Sequence, residues 1–209
     1  SDPKSVEIEL PGILSAGIHP EPLTEIRLGA ISALMETDSM YRQTIENLKE
    51  EGATIVEFTP PEVSMDGFLS ILNIDMRNDL PTYLKKYSNP EFVKIRTIAD
   101  VVSFNTKDSV IRIPYGQALF EGIIADSTTA QELAVIKNNL EKNGRTFFDT
   151  AMNRYQLDAV LSINNYHAGY AAVAKYPALT IPMGYKISGE PISLTFIGKQ
   201  FSEAHLLRI

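Results

Sequence analysis

Apolar positions in this chain fall into short runs and helical stripes that alternate from one end to the other. Residues 25–31, EIRLGAI, suit a buried strand, and Asp38 or Ser39 then caps a helix that reaches Gly52 with Met40, Ile45 and Leu48 on one stripe. Residues 53–58, ATIVEF, follow at once as a second strand, so the unit reads strand, helix, strand with links short enough for parallel pairing in one sheet. A helical tract over 64–87 comes next, with a kink or break expected at Pro81, then a polar turn over 88–90 and a short helix over 97–105. Residues 129–155 place Leu133, Ile136, Leu140 and Phe147 or Phe148 at helical spacing, with Gly144 as a weak interruption. The remainder supplies strands over 157–163, 178–182 and 192–198, with the polar loop NNYH after the first and a Ser188-Gly189 turn between the others.

This alternation predicts an α/β fold, a mixed sheet flanked by helices, with all five strands in one sheet. Residues 1–22 hold Pro3, Pro11, Pro20 and Pro22 without periodicity and read as an arm or loop. No repeat or long linker divides the rest, so residues 23–209 are expected to form one domain. Ser202 is a candidate N-cap for a closing helix that stops after about two turns. The chain opens on Ser1 rather than methionine, and truncation at both ends is the expectation.

Composition narrows the function. Of the residues, 44% are hydrophobic, ordinary for a folded domain, and no apolar run is long enough to span a bilayer. A net charge of -7 with scattered Lys and Arg repels a phosphate backbone, so neither nucleic acid nor membrane is an expected partner. With no cysteine there is no disulfide, thiolate metal site or thiol nucleophile, which fits the cytoplasm and is also compatible with export.

Inspection for chemistry removes the common constellations. No serine sits in Gly-x-Ser-x-Gly, and no glycine-rich phosphate loop follows the first strand. His19, His167 and His205 lack metal-ligand spacing, so no metal is expected, and the imidazoles read as loop or surface groups. Asp75 and Asp79 share a helix face near Arg77 and read as a solvated charged surface. Ser103 and Lys107 stand four apart, but Lys107 lies among Asn105, Thr106 and Asp108, where the ammonium stays solvated and charged.

From Leu157 onward the sequence resembles the closing stretch of the amidase-signature family. Leu157-Asp158-Ala159, Tyr176-Pro177, Thr180-Ile181-Pro182, Gly189-Glu190-Pro191, Phe196-Ile197-Gly198 and Ser202-Glu203 fall in the family's order. EIRLGAI, GATIVEF, NDLPTYL, TIADVVSFN and IPYGQALFEGI resemble earlier parts, so the likeness runs from about Leu23 to the end. Lys175 stands where glycine is usual, as does Ser193.

The resemblance implies the C-terminal part of the amidase-signature fold, and a parent protein that hydrolyses carbon-nitrogen amide bonds with a serine nucleophile, a second serine in a cis peptide and a lysine. These cluster around Gly-Gly-Ser-Ser-Gly, and this chain has neither a Gly-Gly nor a Ser-Ser pair. The expectation is therefore no catalytic residue and no cofactor here, with the N-terminal catalytic half of the same polypeptide and a small-molecule amide as partners, and an exposed apolar surface that favours self-association of the isolated chain. Asn164, Asn165 and Tyr166 are the candidate pocket residues, because a loop directly after a strand is where α/β folds place ligand contacts; both asparagines also suit turn-forming duty. Two alternatives stay open at this point: a stand-alone, non-catalytic binding or regulatory protein derived from an amidase, and an unrelated nucleotide-binding α/β module.

Overall fold

The computed structural model describes residues 22–209, so the arm expected over 1–22 lies outside the described residues except for Pro22. After a 3-10 turn at Leu23–Glu25 the order is β1 (Arg27–Ile31), α1 (Ser32–Thr37), α2 (Ser39–Glu50), β2 (Thr54–Phe58), α3 (Phe68–Tyr87), α4 (Ile98–Thr106), α5 (Ser109–Arg112), α6 (Ala118–Ala125), α7 (Ala130–Tyr155), β3 (Ala159–Ile163), α8 (Ala168–Ala174), β4 (Ala178–Tyr185), β5 (Pro191–Ile197) and α9 (Glu203–Leu206). By compactness the described residues divide into two units, one holding residues 22–64 with Glu141–Ile209, the other Met65–Leu140.

The first unit carries the five-stranded mixed sheet, in the order β2-β1-β3-β5-β4. β1 pairs in parallel with β2 and with β3, whereas β5 runs antiparallel to β3 and to β4. The strand, helix, strand reading of 25–58 is thus realised. Asp38 caps α2 by accepting the Tyr41 N–H at 2.8 Å, and Gly52 turns the chain at φ 106° before β2.

Period-two alternation divides the strand residues between two buried faces. Leu28, Ala30, Leu161, Ile163, Leu194 and Phe196 pack with Met35, Tyr41, Ile45 and Leu206 from α1, α2 and α9. Ile31, Val160 and Ile197 pack with Phe147, Phe148, Ala151 and Met152 of α7 and with Ala171 and Ala174 of α8. Helices on both faces explain why β3 is buried along its whole length and reads as an apolar run broken only by Ser162.

In the second unit α3 runs unbroken through Pro81, and its Arg77 donates to the Asp126 carbonyl at 2.7 Å beyond the end of α6. Asp75 is paired with Lys137 at 3.0 Å rather than with Asp79. Thr97 and Asp100 form a capping box at the start of α4. Ser103 and Lys107 are both exposed and share no hydrogen bond, as their polar surroundings imply. At the far end Ser202 does not cap α9 with its side chain; the hydroxyl donates back to the Lys199 carbonyl at 2.6 Å, which its own backbone geometry favours.

Candidate functional site

β3 ends at Ile163, and the chain must turn out of the sheet to start α8 five residues later. That turn, 164–167, stands at the C-terminal end of the parallel strands, the position where α/β folds gather ligand contacts. Its first residue is spent on the fold. Asn164 takes up a left-handed φ of 45°, its side-chain oxygen accepts the Ser193 N–H at 2.8 Å, its N–H donates to the Ser193 carbonyl at 2.9 Å, and its carbonyl accepts the Thr195 hydroxyl at 2.6 Å. Asparagine tolerates the left-handed region and supplies the extra acceptor, so it extends the β3–β5 ladder by one step.

Asn165 and Tyr166 follow as exposed residues whose side chains make no hydrogen bond among the described residues. Tyr166 lies close enough to Lys186 to act on its charge. The Lys186 ammonium is held above the usual lysine range first by its hydrogen bond to Glu190 at 3.1 Å, with Tyr166 and Asp38 adding to the effect. Lys186 belongs to an open cleft of about 430 Å³ whose walls are Thr37, Asp38, Ser39 and Met40 on one side and Tyr185 to Ser188 on the other.

On the opposite face of the sheet lies a second polar group. Ser162 of β3 stands opposite Thr195 of β5, and Thr195 stands opposite Thr180 of β4, so three hydroxyl residues form a row across three strands. The Thr180 and Thr195 hydroxyls are 3.0 Å apart. Ser162 is fully buried, and its hydroxyl lies 2.6 Å from Nδ1 of His167, the last residue of the turn. The imidazole packs beside Phe147, 5.4 Å between ring centres, and burial lowers its pKa below the ordinary histidine value.

His167, Ser162, Thr180 and Thr195 are not singled out by motif reasoning. A signal was nonetheless present: Ser162 and Thr195 are hydroxyl residues at buried positions of the apolar runs of β3 and β5. Such a placement demands a partner, and Ser162 finds it five residues away in sequence. His205, by contrast, pairs with Asp158 at 3.0 Å near the start of β3, away from the turn. No group of three potential metal ligands occurs among the described residues.

In the second unit, a cleft of about 680 Å³ is lined by Ser127, Thr128, Thr129, Glu132 and Ile136. Two of its polar residues serve the N-terminus of α7: Thr129 N–H and hydroxyl both donate to Glu132 at 2.8 Å. No helix among the described residues is long and apolar enough to cross a membrane.

No family model matches the chain. A probable amidase of Arabidopsis thaliana is 26% identical over 195 residues, which cover 88% of this chain and 36% of the plant protein. Among solved structures, an amidase family protein from Bacillus anthracis str. Ames superposes with a TM-score of 0.78 at 26% identity, over 91% of this chain and 38% of that one. The native peptide amidase of Stenotrophomonas maltophilia shares the fold with a TM-score of 0.76 at 24% identity, over 99% of this chain and 45% of that one. This chain therefore spans less than half the length of these relatives. In sequence and in fold the chain is thus similar to amidases over most of its length.

Proposed function

We propose that this chain is the C-terminal part of an amidase that hydrolyses carbon-nitrogen amide bonds through a serine nucleophile, a cis-peptide serine and a lysine, all located outside this chain. The observation that carries the reading is the superposition on the Bacillus anthracis amidase family protein over 91% of this chain but only 38% of that protein. The absence of any Gly-Gly or Ser-Ser pair from the sequence fits it.

In this reading the N-terminal half supplies the reactive groups. A serine hydroxyl becomes an effective nucleophile only when a base takes its proton and donors wait for the oxyanion. The sheet described here supports that half, and Asn165 and Tyr166, on the turn after β3, wall the pocket that receives the amide. The Asn164 side chain holds the turn in place.

The test is to express the reading frame that carries this chain and, separately, residues 1–209, and to assay both against simple aliphatic and aromatic amides. The reading expects turnover by the former and none by the latter. Turnover by residues 1–209 alone sinks it, as does an inactive, correctly folded product of the whole frame.

A further inference from the structure

We propose that His167 is a neutral hydrogen-bond donor for the carbonyl oxygen of an amide ligand, offering Nε2–H at the end of β3, and that Ser162 is the positioning residue that fixes this tautomer. The ligand class rests on the amidase reading above; the tautomer does not. Ser162 is fully buried, and the partner of its hydroxyl among the described residues is His167 Nδ1 at 2.6 Å. A hydroxyl hydrogen sealed in a core needs an acceptor, and the ring nitrogen can accept only if it carries no proton. The Ser162 hydroxyl therefore donates to Nδ1, and the ring proton sits on Nε2.

Nε2 has no protein partner among the described residues and is not sealed in the core. The ring is held by its neighbours: Phe147 lies 5.4 Å away, itself stacked on Tyr170 at 4.4 Å, and Tyr170 is 6.1 Å from the imidazole. One nitrogen is thus committed to the fold, the ring plane is fixed by aromatic contacts, and the second nitrogen faces outward as an oriented N–H. Protonation would turn Nδ1 into a donor and leave the Ser162 hydrogen without an acceptor. The group consequently stays neutral and offers Nε2–H as an uncharged donor to a carbonyl oxygen.

The experiment uses the protein labelled with nitrogen-15 at histidine, with long-range proton–nitrogen correlation reading the protonation of each ring nitrogen. His167 is expected to carry its proton on Nε2 at neutral pH, and Ser162→Ala to show both tautomers. Benzamide is expected to shift the Nε2–H resonance, whereas benzylamine, which lacks the carbonyl, leaves it in place. His167→Gln, which keeps a neutral N–H, is expected to hold benzamide within about threefold of the unaltered protein, and His167→Leu to bind it about tenfold more weakly. A proton on Nδ1 overturns the proposal. So does an Nε2 resonance that ignores benzamide up to its solubility limit, or an affinity that His167→Leu leaves unchanged. A polypeptide that hydrolyses amides while His167 ignores benzamide sinks this inference alone; a His167 that answers to benzamide in a polypeptide without turnover sinks only the hydrolytic reading.

Discussion

The hydroxyl of Tyr41, on α2, donates to the carbonyl of Leu161, on β3, at 2.9 Å, and the Ile31 N–H donates to the same hydroxyl at 3.3 Å. One fully buried side chain thus ties the first helix pair to two parallel strands where β1 hands over to α1. Burial pushes the phenol well above its ordinary range, so it stays protonated and remains a donor. Tyr41→Phe keeps the ring and removes both bonds, which is expected to cost about 1–3 kcal/mol of stability. Urea unfolding should show a lower midpoint with an unchanged slope; an unchanged midpoint would mean that the hydroxyl contributes nothing to holding α2 on the sheet.

Gly144 decides how closely α7 and α8 approach. A Cβ there would stand 2.7 Å from the Tyr170 carbonyl oxygen, 2.7 Å from Val173 Cγ2 and 2.9 Å from the Ala174 N. Two of these atoms are backbone and cannot swing aside. Gly144→Ala gains about 1 kcal/mol of helix propensity and loses about 1–3 kcal/mol to overpacking, so overpacking wins. A lower thermal midpoint is expected, and a higher one would show that α8 shifts freely.

Lys175 ends α8 in the left-handed region, φ 62°, and its ammonium lies 2.7 Å from Glu141. The backbone there favours glycine, since a Cβ is disfavoured in that conformation by about 1–2 kcal/mol. The ion pair is mostly exposed and offsets at most about 1 kcal/mol. Lys175→Ala is expected to be less stable than the unaltered chain because it loses the pair and keeps the strain. Lys175→Gly should exceed Lys175→Ala by about 1 kcal/mol in chemical denaturation, and equal stability of the two would remove the argument from backbone strain.

What the sequence shows and what it hides divide along physical lines. Five strands in one sheet follow from apolar runs such as 157–163, because a strand buried on both faces leaves a mark that no surface loop imitates. Gly144 reads as a weak helix position from propensity alone, whereas its role is steric and depends on a helix almost thirty residues away. The helix at Ala168–Ala174 escapes notice because seven mostly small residues carry little periodic signal. Pro81 is expected to disturb α3, yet helix runs on both sides of it. At the turn after β3 the sequence points to Asn164, Asn165 and Tyr166 as a set, and the coordinates separate them: one bonds into the sheet and two face outward. Ser162 and His167 meet only because the turn folds back on the strand, and spacing along the chain does not reveal such a return.

His167 also sets a pH dependence whose sign follows from burial. Its pKa in the fold lies below the unfolded value of 6.5, with desolvation as the cause, so between the two values the unfolded chain binds more protons than the native one. Stability therefore rises with pH across that window. The contribution is complete above 6.5 and is lost as the pH falls below it toward the folded value. Many carboxylates titrate at lower pH and would confuse a single curve, so the useful quantity is the difference between the unaltered chain and His167→Gln, which cannot take up a proton. Urea unfolding at about pH 7.5 and about pH 5.5 is expected to show a larger loss of stability in the unaltered chain than in His167→Gln. In Ser162→Ala the charged ring no longer strands a buried hydroxyl hydrogen, so the loss should be smaller than in the unaltered chain. Equal losses in the unaltered chain and in His167→Gln would mean that the imidazole is as easily protonated in the fold as in water, and the buried contact with Ser162 would then have to be abandoned.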